Sequence, residues 1–369
     1  MSQGKMADDR RIKAAVDLIS NLPDEILQHI HCFIPIKVAI TTSLLSRRWK
    51  HVWCEIPSLS LDATILTAAS VNKTLSHYTA PKTKSFHLKT YRREYTPHIN
   101  RWIKFALSHN VENLSLDFWV NSYPYKLPDF FYNSSSFKQL NINELRVLDL
   151  RKSLRLRTLQ IIRNMSVPGP TQIVAPHIHS LRIVDSMRSC TLVDVASLTE
   201  AKLDICYVPT NKPFFEFTKP GFLQLQEIRG VYFPMLKVKS LTLDTVISQY
   251  VVPGIQRLLE NSPDLEKLTV RGRTSCKAIP VYLPHNLFFY SYYRVQLYSG
   301  TVLPDQCWYV QPKHVTAFVE LVLEKTEKLD KMVLLLDKRY LKSYIEDLTA
   351  TLAHNNNVTI GPLPPTSQR

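Results

Sequence analysis

Glycine is scarce in this sequence, with only 8 among 369 residues, well below the usual share of about 7%. None of the eight lies in a G-x-G or G-x-x-x-x-G-K run. Loops that hold phosphate groups need glycine because their backbone adopts positive φ angles and approaches the ligand closely. The sequence therefore predicts neither a P-loop nor a dinucleotide-binding fold.

Cysteine-based and metal-based chemistry is also missing. The six cysteines form no C-x-x-C pair, which is the usual spacing of zinc ligands and redox pairs. The sequence has no H-E-x-x-H and no G-x-S-x-G motif, and Cys307 has no assignable histidine or acidic partner to activate it. We therefore predict that the chain is not an enzyme and has no catalytic residue, no metal site and no cofactor.

Long hydrophobic runs are absent as well. Fully apolar stretches are only a few residues long, as at 332–336, whereas a membrane-spanning helix needs about 20 apolar residues. Residues 1–10 contain four charged residues and lack the apolar region of a signal peptide. We expect a protein of the cytoplasm and/or nucleus that is not secreted and has no membrane partner.

Positive charge is what the sequence has in excess, with 46 Lys and Arg against 31 Asp and Glu and a net charge of +15. Such an excess is typical of proteins with nucleic-acid, anionic-membrane or acidic protein partners. At about 150 residues per domain, the length corresponds to about two domains.

Three short helices are predicted between residues 17 and 57. Pro23 favours the first turn of a helix, and Ile26, Leu27 and Ile30 then fall on one apolar stripe. A block of this size has too little interior to bury all its large apolar side chains. The sequence therefore predicts an apolar face that a partner completes.

The next region contains short phrases of the form L-x-x-L-x-L. Their central leucines lie at positions 114, 148, 159, 181, 203, 241 and 268. Two consecutive steps of 22 residues and a last step of 27 match the period of 20–29 residues of leucine-rich repeats. We predict an α/β solenoid, a leucine-rich-repeat horseshoe, over residues 80–275, although the step from 148 to 159 is too short for a full repeat.

The C-terminal third alternates between predicted helices and strands. Helices are predicted over 314–328 and 338–354, and strands over 329–337 and 358–360. Such a segment can cover the core of the last repeat, so we predict an α/β cap over 276–360. The proline-rich residues 361–369 are predicted to be a disordered tail.

Residues 18–53 resemble the F-box. The resemblance rests on the spacing of Leu22-Pro23, Ile34-Pro35, Ser43, Leu45-Ser46 and Arg48-Trp49. The repeat phrases and the segments 304–308 and 327–333 are similar to plant F-box, leucine-rich-repeat and FBD-type proteins. His31 departs from the family pattern, which more often has a large apolar residue there.

The resemblance implies the substrate-recognition subunit of an SCF-type cullin-RING ubiquitin ligase. In that family the F-box docks on a Skp-type adaptor, and the repeats bind a protein client for ubiquitylation. The docking positions that the resemblance implies are Leu22, Pro23, Ile26, Leu27, Ile30, Pro35, Val38, Ala39, Leu45 and Trp49.

If the repeats form strands, the neighbours of the paired leucines form one client-binding face. The charged residues predicted on this concave face are Asp117, Asp149, Arg151, Arg182, Asp204, Asp244 and Arg271. Four Asp against three Arg make the face nearly neutral, which disfavours a nucleic-acid partner. Two alternatives stay open: a basic nucleic-acid-binding repeat protein, and a decoy F-box protein without a client, since the repeats look short between Leu140 and Leu145.

Overall fold

The computed structural model describes residues 22–118, 125–143, 147–162, 171–184, 190–205, 235–245, 247, 252–272, 312–336 and 357–364. The chain divides into two compact units: unit 1 comprises residues 1–121 and 125–142, and unit 2 comprises residues 122–124 and 143–369. Each unit has an α/β fold, and the strand pairs given below are parallel.

Unit 1 begins with three short helices, as predicted. They are α1 (Asp24–His31), α2 (Ile36–Thr41) and α3 (Trp49–Val52), with 3₁₀ turns at Thr42–Leu44 and Trp53–Glu55. Pro23 and Pro35 each precede a helix with extended backbone, which proline tolerates at a helix start. After the second helix, the Thr42 and Ser43 hydroxyls donate to the carbonyls of Ala39 and Ile40.

A four-stranded parallel sheet follows in unit 1. Its elements in chain order are β1 (Ser58–Asp62), α4 (Ala68–His77), β2 (Ser85–Thr90), a 3₁₀ turn (Arg93–Tyr95), α5 (Thr96–Ser108), β3 (Asn113–Phe118), α6 (Asp129–Tyr132) and β4 (Gln139–Asn143). The strands lie side by side in the order β1-β2-β3-β4. Every second residue is buried, as with Leu59 and Leu61, which is the period of a strand with one face in the core. The sheet thus starts at Ser58, ahead of the repeat region predicted from residue 80.

Unit 2 contains two parallel sheets. Its strands are β5 (Val147–Asp149), β6 (Thr158–Ile162), β7 (Thr171–Val174), β8 (Ser180–Val184), β9 (Cys190–Asp194), β10 (Glu200–Ile205), β11 (Ser240–Thr245), β12 (Lys267–Gly272), β13 (Lys331–Leu336) and β14 (Val358–Pro362). The larger sheet has the order β6-β8-β10-β11-β12-β13-β14, and the smaller one the order β5-β7-β9. Two helices are described, α7 (Val252–Glu260) and α8 (Pro312–Lys325).

The two sheets explain the irregular spacing of the leucines. Leu148 lies in β5 of the smaller sheet, whereas Leu159 lies in β6 of the larger sheet. The step of 11 residues therefore joins strands of different sheets and does not indicate a truncated repeat. The segments that return from β6 to β8 and from β8 to β10 each contain one strand of the smaller sheet, β7 and β9.

The C-terminal strands continue the larger sheet. β13 pairs with β12, and β14 pairs with β13 in parallel register. The prediction of disorder from Gly361 is wrong at its first two residues, because Gly361 and Pro362 lie opposite Leu335 and Leu336 in this ladder. The predicted helix 338–354 and residues 276–311 of the predicted cap lie outside the described residues.

Gly272 ends β12 at a point of close packing. A Cβ atom at this position would lie 2.7 Å from the Leu336 side chain and 3.6 Å from that of Ile247, and both side chains are buried. We therefore expect Gly272→Ala to destabilise unit 2 by about 1–3 kcal/mol, the usual cost of overpacking a core. Urea unfolding checks this expectation, with Gly361→Ala as the control because its nearest neighbour lies at 3.7 Å. Equal midpoints for the two variants would contradict it.

Candidate docking and client-binding surfaces

The N-terminal helices expose several large apolar side chains. Ile26 and Ile30 project from α1, and Phe33 follows it with 76% of its surface exposed. Val38 lies on α2, and Leu44 and Leu45 follow with 84% and 68% exposed. We call these six side chains the docking surface. Exposed apolar clusters of this kind mark interaction sites in proteins.

Most of the predicted docking residues are accessible. Pro23, Ile26, Ile30, Pro35, Val38 and Leu45 are exposed, and Leu22 and Trp49 are half-buried. The structure corrects two assignments, because Leu27 and Ala39 are fully buried and contact the interior of the helical block. The sequence prediction missed Phe33 and Leu44, although their large apolar side chains stand just outside the helices where they have little to cover them.

Arg48 connects the start of α1 to the segment before α3. Its Nε and Nη2 atoms lie 2.7 and 2.6 Å from Asp24 Oδ1, and its guanidinium also donates to the carbonyl of Leu22. Since the ion pair is largely exposed, it contributes at most about 1 kcal/mol. Its geometric effect is to hold Leu22 and Pro23 next to the docking surface.

His31 is a buried histidine at the end of α1. Its Nε2 lies 3.3 Å from the Thr42 hydroxyl, and its ring centroid lies 5.4 Å from that of Trp49. Its buried Nδ1 has no hydrogen-bond partner among the described residues. Burial lowers the pKa of His31, so the folded block holds this imidazole in its neutral form.

The lowered pKa of His31 predicts that acid destabilises the helical block. The stabilising contribution of the neutral ring is present above the pKa of an unfolded histidine, about 6.5, and is lost as pH falls through that value. The loss has a slope of at most about 1.4 kcal/mol per pH unit. Thermal unfolding of wild type should therefore drop more between pH 7.5 and pH 5.5 than that of His31→Leu. An equal drop in melting temperature between pH 7.5 and pH 5.5 in wild type and His31→Leu would contradict this explanation.

The helical block is joined to the sheet of unit 1 by short hydrogen bonds. The buried Tyr78 hydroxyl donates to the carbonyl of Ile56 at 2.6 Å, and the Thr79 amide donates to the carbonyl of Cys54 at 2.9 Å. The amides of Lys84 and Ser85 both donate to the Pro57 carbonyl. These bonds join the end of the helical block to the segment between α4 and β2 and to the first residue of β2.

The structure places two of the seven predicted client-binding residues on a different sheet of unit 2 from four of the others. Asp149 and Arg151 belong to the smaller sheet of unit 2, where they form an exposed ion pair at 2.5 Å. Asp117 lies on β3 of unit 1. Only the four remaining residues, Arg182, Asp204, Asp244 and Arg271, lie on the larger sheet of unit 2. The single face predicted from the sequence is thus corrected for Asp149 and Arg151, because that prediction assumed one sheet; for the other five residues it stays a prediction.

On the larger sheet of unit 2, we call the side opposite the buried leucines the open face. Asp204, Asp244 and Arg271 are register neighbours across β10, β11 and β12. Asp244 is only 6% exposed, and its Oδ2 lies 3.7 Å from Nζ of Lys202. The importance of Lys202 was missed because it lies between the alanine and leucine of a weak repeat phrase.

In unit 1, His87 lies on β2 between the buried Phe86 and Leu88, on the side of the sheet opposite to them. Its Nδ1 lies 2.9 Å from the Ser115 hydroxyl of the next strand. Burial lowers the pKa of His87, an effect that the nearby Asp117 opposes. Lys89 follows two residues later, with Nζ 5.3 Å from the centroid of the Tyr91 ring. Sequence reasoning missed both, although Phe86 and Leu88 give β2 the alternation of a strand.

Within the described part of the chain, no group of three His, Cys, Asp or Glu residues is placed to hold a metal ion. No described helix is both long and apolar enough to cross a membrane. Cys307 lies outside the described residues.

The described residues combine short N-terminal helices that expose apolar side chains with parallel strands that carry alternating buried leucines. The family profile of the F-box domain matches residues 19–61. Three similar proteins of Arabidopsis thaliana are the F-box/LRR-repeat proteins At3g18150, At5g02910 and At3g03360. They are 43%, 37% and 34% identical to this chain and cover 97%, 94% and 97% of it, and the alignments cover 94%, 94% and 93% of their own lengths. The chain belongs to the F-box/LRR-repeat family.

The alignments also contain a difference in length. The comparison with At3g18150 extends over 432 aligned positions, whereas this chain has 369 residues. Some internal segments of the relative therefore have no counterpart here.

Proposed function

We propose that this chain is the substrate-recognition subunit of an SCF-type cullin-RING ubiquitin ligase, with its F-box docked on a Skp-type adaptor. Such an adaptor function is the general role that the F-box and the family suggest, and it is non-catalytic. The observation that carries the proposal is the docking surface. In water, Leu44 and Leu45 leave most of their apolar area exposed, and a partner that covers it would gain about 25 cal/mol per Å².

The burial pattern separates the side chains that hold the helices together from those that would contact the adaptor. Leu27 and Ala39 occupy the interior and give the helices a core of their own. The docking surface is therefore not needed to hold the block together. An adaptor that supplies a complementary apolar groove would cover Ile26, Ile30 and Val38 without unfolding the block.

The strands of both units serve, in this proposal, as leucine-rich repeats that bind a protein client. The period of the leucines and the parallel pairing of β8, β10, β11 and β12 support this interpretation, and the horseshoe stays a prediction. The boundaries 17–57, 80–275 and 276–360 are likewise proposed divisions, adjusted by the earlier start of the sheet at Ser58. The proposal places the protein in the cytoplasm or the nucleus.

Capture of a Skp-type adaptor tests the proposal. The full chain should copurify with the adaptor, and Leu44→Asp combined with Leu45→Asp should reduce its affinity at least about 100-fold, since charges at the centre of an apolar interface cost several kcal/mol. Leu154→Asp is the matched control, because Leu154 is an exposed leucine of unit 2. Failure of the wild-type chain to bind, or equal loss in the control, would overturn the proposal.

The two alternatives make different predictions. A nucleic-acid binder would lose affinity steeply with salt, and the mixed charges of Lys202 and Asp244 do not favour one. A decoy would bind the adaptor but recruit no client. Proximity labelling with the adaptor-bound chain, followed by a search for ubiquitylated neighbours, distinguishes a receptor from a decoy.

A further inference from the structure

The basic residues of the open face occupy neighbouring strands. Arg182 on β8 and Lys202 on β10 are register partners, and Lys267 on β12 and Lys331 on β13 are register partners in the same way. Arg182, Lys267 and Lys331 are exposed. Uncharged hydroxyl residues, Thr242 and Thr269, continue the row of Lys202.

The acidic residues of this face are fewer and lie differently. Asp244 is buried beside Lys202, so this aspartate is directed at a cation of its own sheet. Asp204 is its register neighbour on β10. Glu200 lies at the start of β10 and is exposed. The described positive charges of the open face therefore outnumber the negative ones.

Arg271 on β12 has a buried donor atom that is not satisfied by the described residues. Its Nε is buried and makes no hydrogen bond to any described residue. A buried donor without an acceptor costs about 1–3 kcal/mol, and more when the donor is charged. A carboxylate is the acceptor that matches a guanidinium best, because it accepts two parallel hydrogen bonds.

The spacing of the two arginines fits an extended peptide. Three strand-to-strand steps separate β8 from β12, about 14 Å at about 4.8 Å per step. Arg271 also lies two residues beyond Thr269, the residue of β12 in the register row of Arg182, so the Cα atoms of the two arginines are about 16 Å apart. An extended chain rises about 3.3 Å per residue. Two acidic side chains about four to six residues apart on one face of such a peptide could thus meet Arg182 and Arg271 together, at about 3.3 Å per residue.

We propose that the open face of unit 2 binds an acidic segment of the client, with Arg182 and Arg271 as its anchors. This inference rests on the proposed function and names the client chemistry. Nucleic acid fits less well because binding along a phosphate backbone needs an unbroken basic surface, and the uncharged Thr242 and Thr269 interrupt the basic row on this face.

Fluorescence anisotropy with the full chain tests the inference. The probe is a short labelled peptide in which glutamate alternates with serine, and the control peptide has glutamine in place of glutamate. Arg182→Gln and Arg271→Gln should each weaken binding of the acidic peptide about tenfold, the effect of one charge-assisted hydrogen bond. Arg101→Gln, an exposed arginine on α5 of unit 1, should leave the affinity unchanged.

The controls separate the possible failures. Because Arg182 is exposed, its replacement leaves folding intact even if Arg271→Gln unfolds unit 2. Equal binding of the two peptides, unchanged affinity in Arg182→Gln, or tighter binding of an oligothymidine of equal charge would overturn the inference. Adaptor capture is measured on the same preparations: if it succeeds while the acidic peptide fails, only the client chemistry is wrong, and if it fails, the proposed function is wrong.

Discussion

Leu27→Ala is expected to unfold the N-terminal helices and to abolish adaptor capture, although Leu27 makes no contact with solvent. Removing a buried leucine side chain costs about 2–5 kcal/mol. The helical block is small, so a loss of this size exceeds what its few other buried side chains can offset. Circular dichroism of the full chain should show lost helix content, and capture of the adaptor should fail.

The contrast with Ile30→Ala makes this expectation specific. Ile30 is exposed, so its replacement should leave the helix content unchanged while it weakens adaptor binding. Leu27→Met should keep both properties, since a swap of similar volume usually costs less than about 1.5 kcal/mol. If Leu27→Ala kept its helix content and lost only adaptor binding, Leu27 would be a contact residue after all.

Trp102→Ala should destabilise unit 1 by about 3–5 kcal/mol, the usual cost of truncating a buried tryptophan. Trp102 lies on α5 and is fully buried. Its ring stacks on His98 with centroids 5.8 Å apart, and its Nε1 donates to Asn72 Oδ1 on α4 at 2.8 Å. The side chain therefore joins two helices that cover the sheet. Denaturant unfolding, followed by far-ultraviolet circular dichroism, measures the loss.

Trp102→Phe is the informative companion variant. It keeps an aromatic ring in the site but removes the donor to Asn72, so it should cost less than the alanine variant. Trp53→Ala, in the helical block, serves as the comparison for another buried tryptophan. An unfolding midpoint for Trp102→Ala equal to that of wild type would contradict the assigned role.

The apolar periodicity of the sequence predicted the helices and the leucine strands well, but not which faces were buried. Leu27 and Ile30 lie one turn apart on the same helix, and both belong to its apolar stripe. Periodicity shows that such a stripe meets apolar surroundings. It does not show whether those surroundings are the chain's own core, as for Leu27, or an absent partner, as we propose for Ile30.

The client-binding residues were harder to predict for a different reason. The seven predicted charges were selected by their place next to a leucine, which assumes that all repeats share one sheet. Asp149 follows Leu148 in the same way that Asp244 follows Leu243, yet the strands belong to different sheets of unit 2. Strand pairing is a long-range property, and the local pattern of three to five residues does not contain it.

The F-box match ends at Leu61, inside a strand that pairs along its whole length with β2. Four of the five residues of β1 therefore belong both to the F-box match and to the sheet of unit 1. An F-box segment that ended at residue 57 would lack β1 and lose the Leu59 and Leu61 side chains from its core. A segment that ended after Asp62 would keep β1 but separate it from its neighbour β2. We therefore expect an exchange of segments with a relative to leave two foldable proteins only where β1 and β2 stay together, and not at the end of the F-box match.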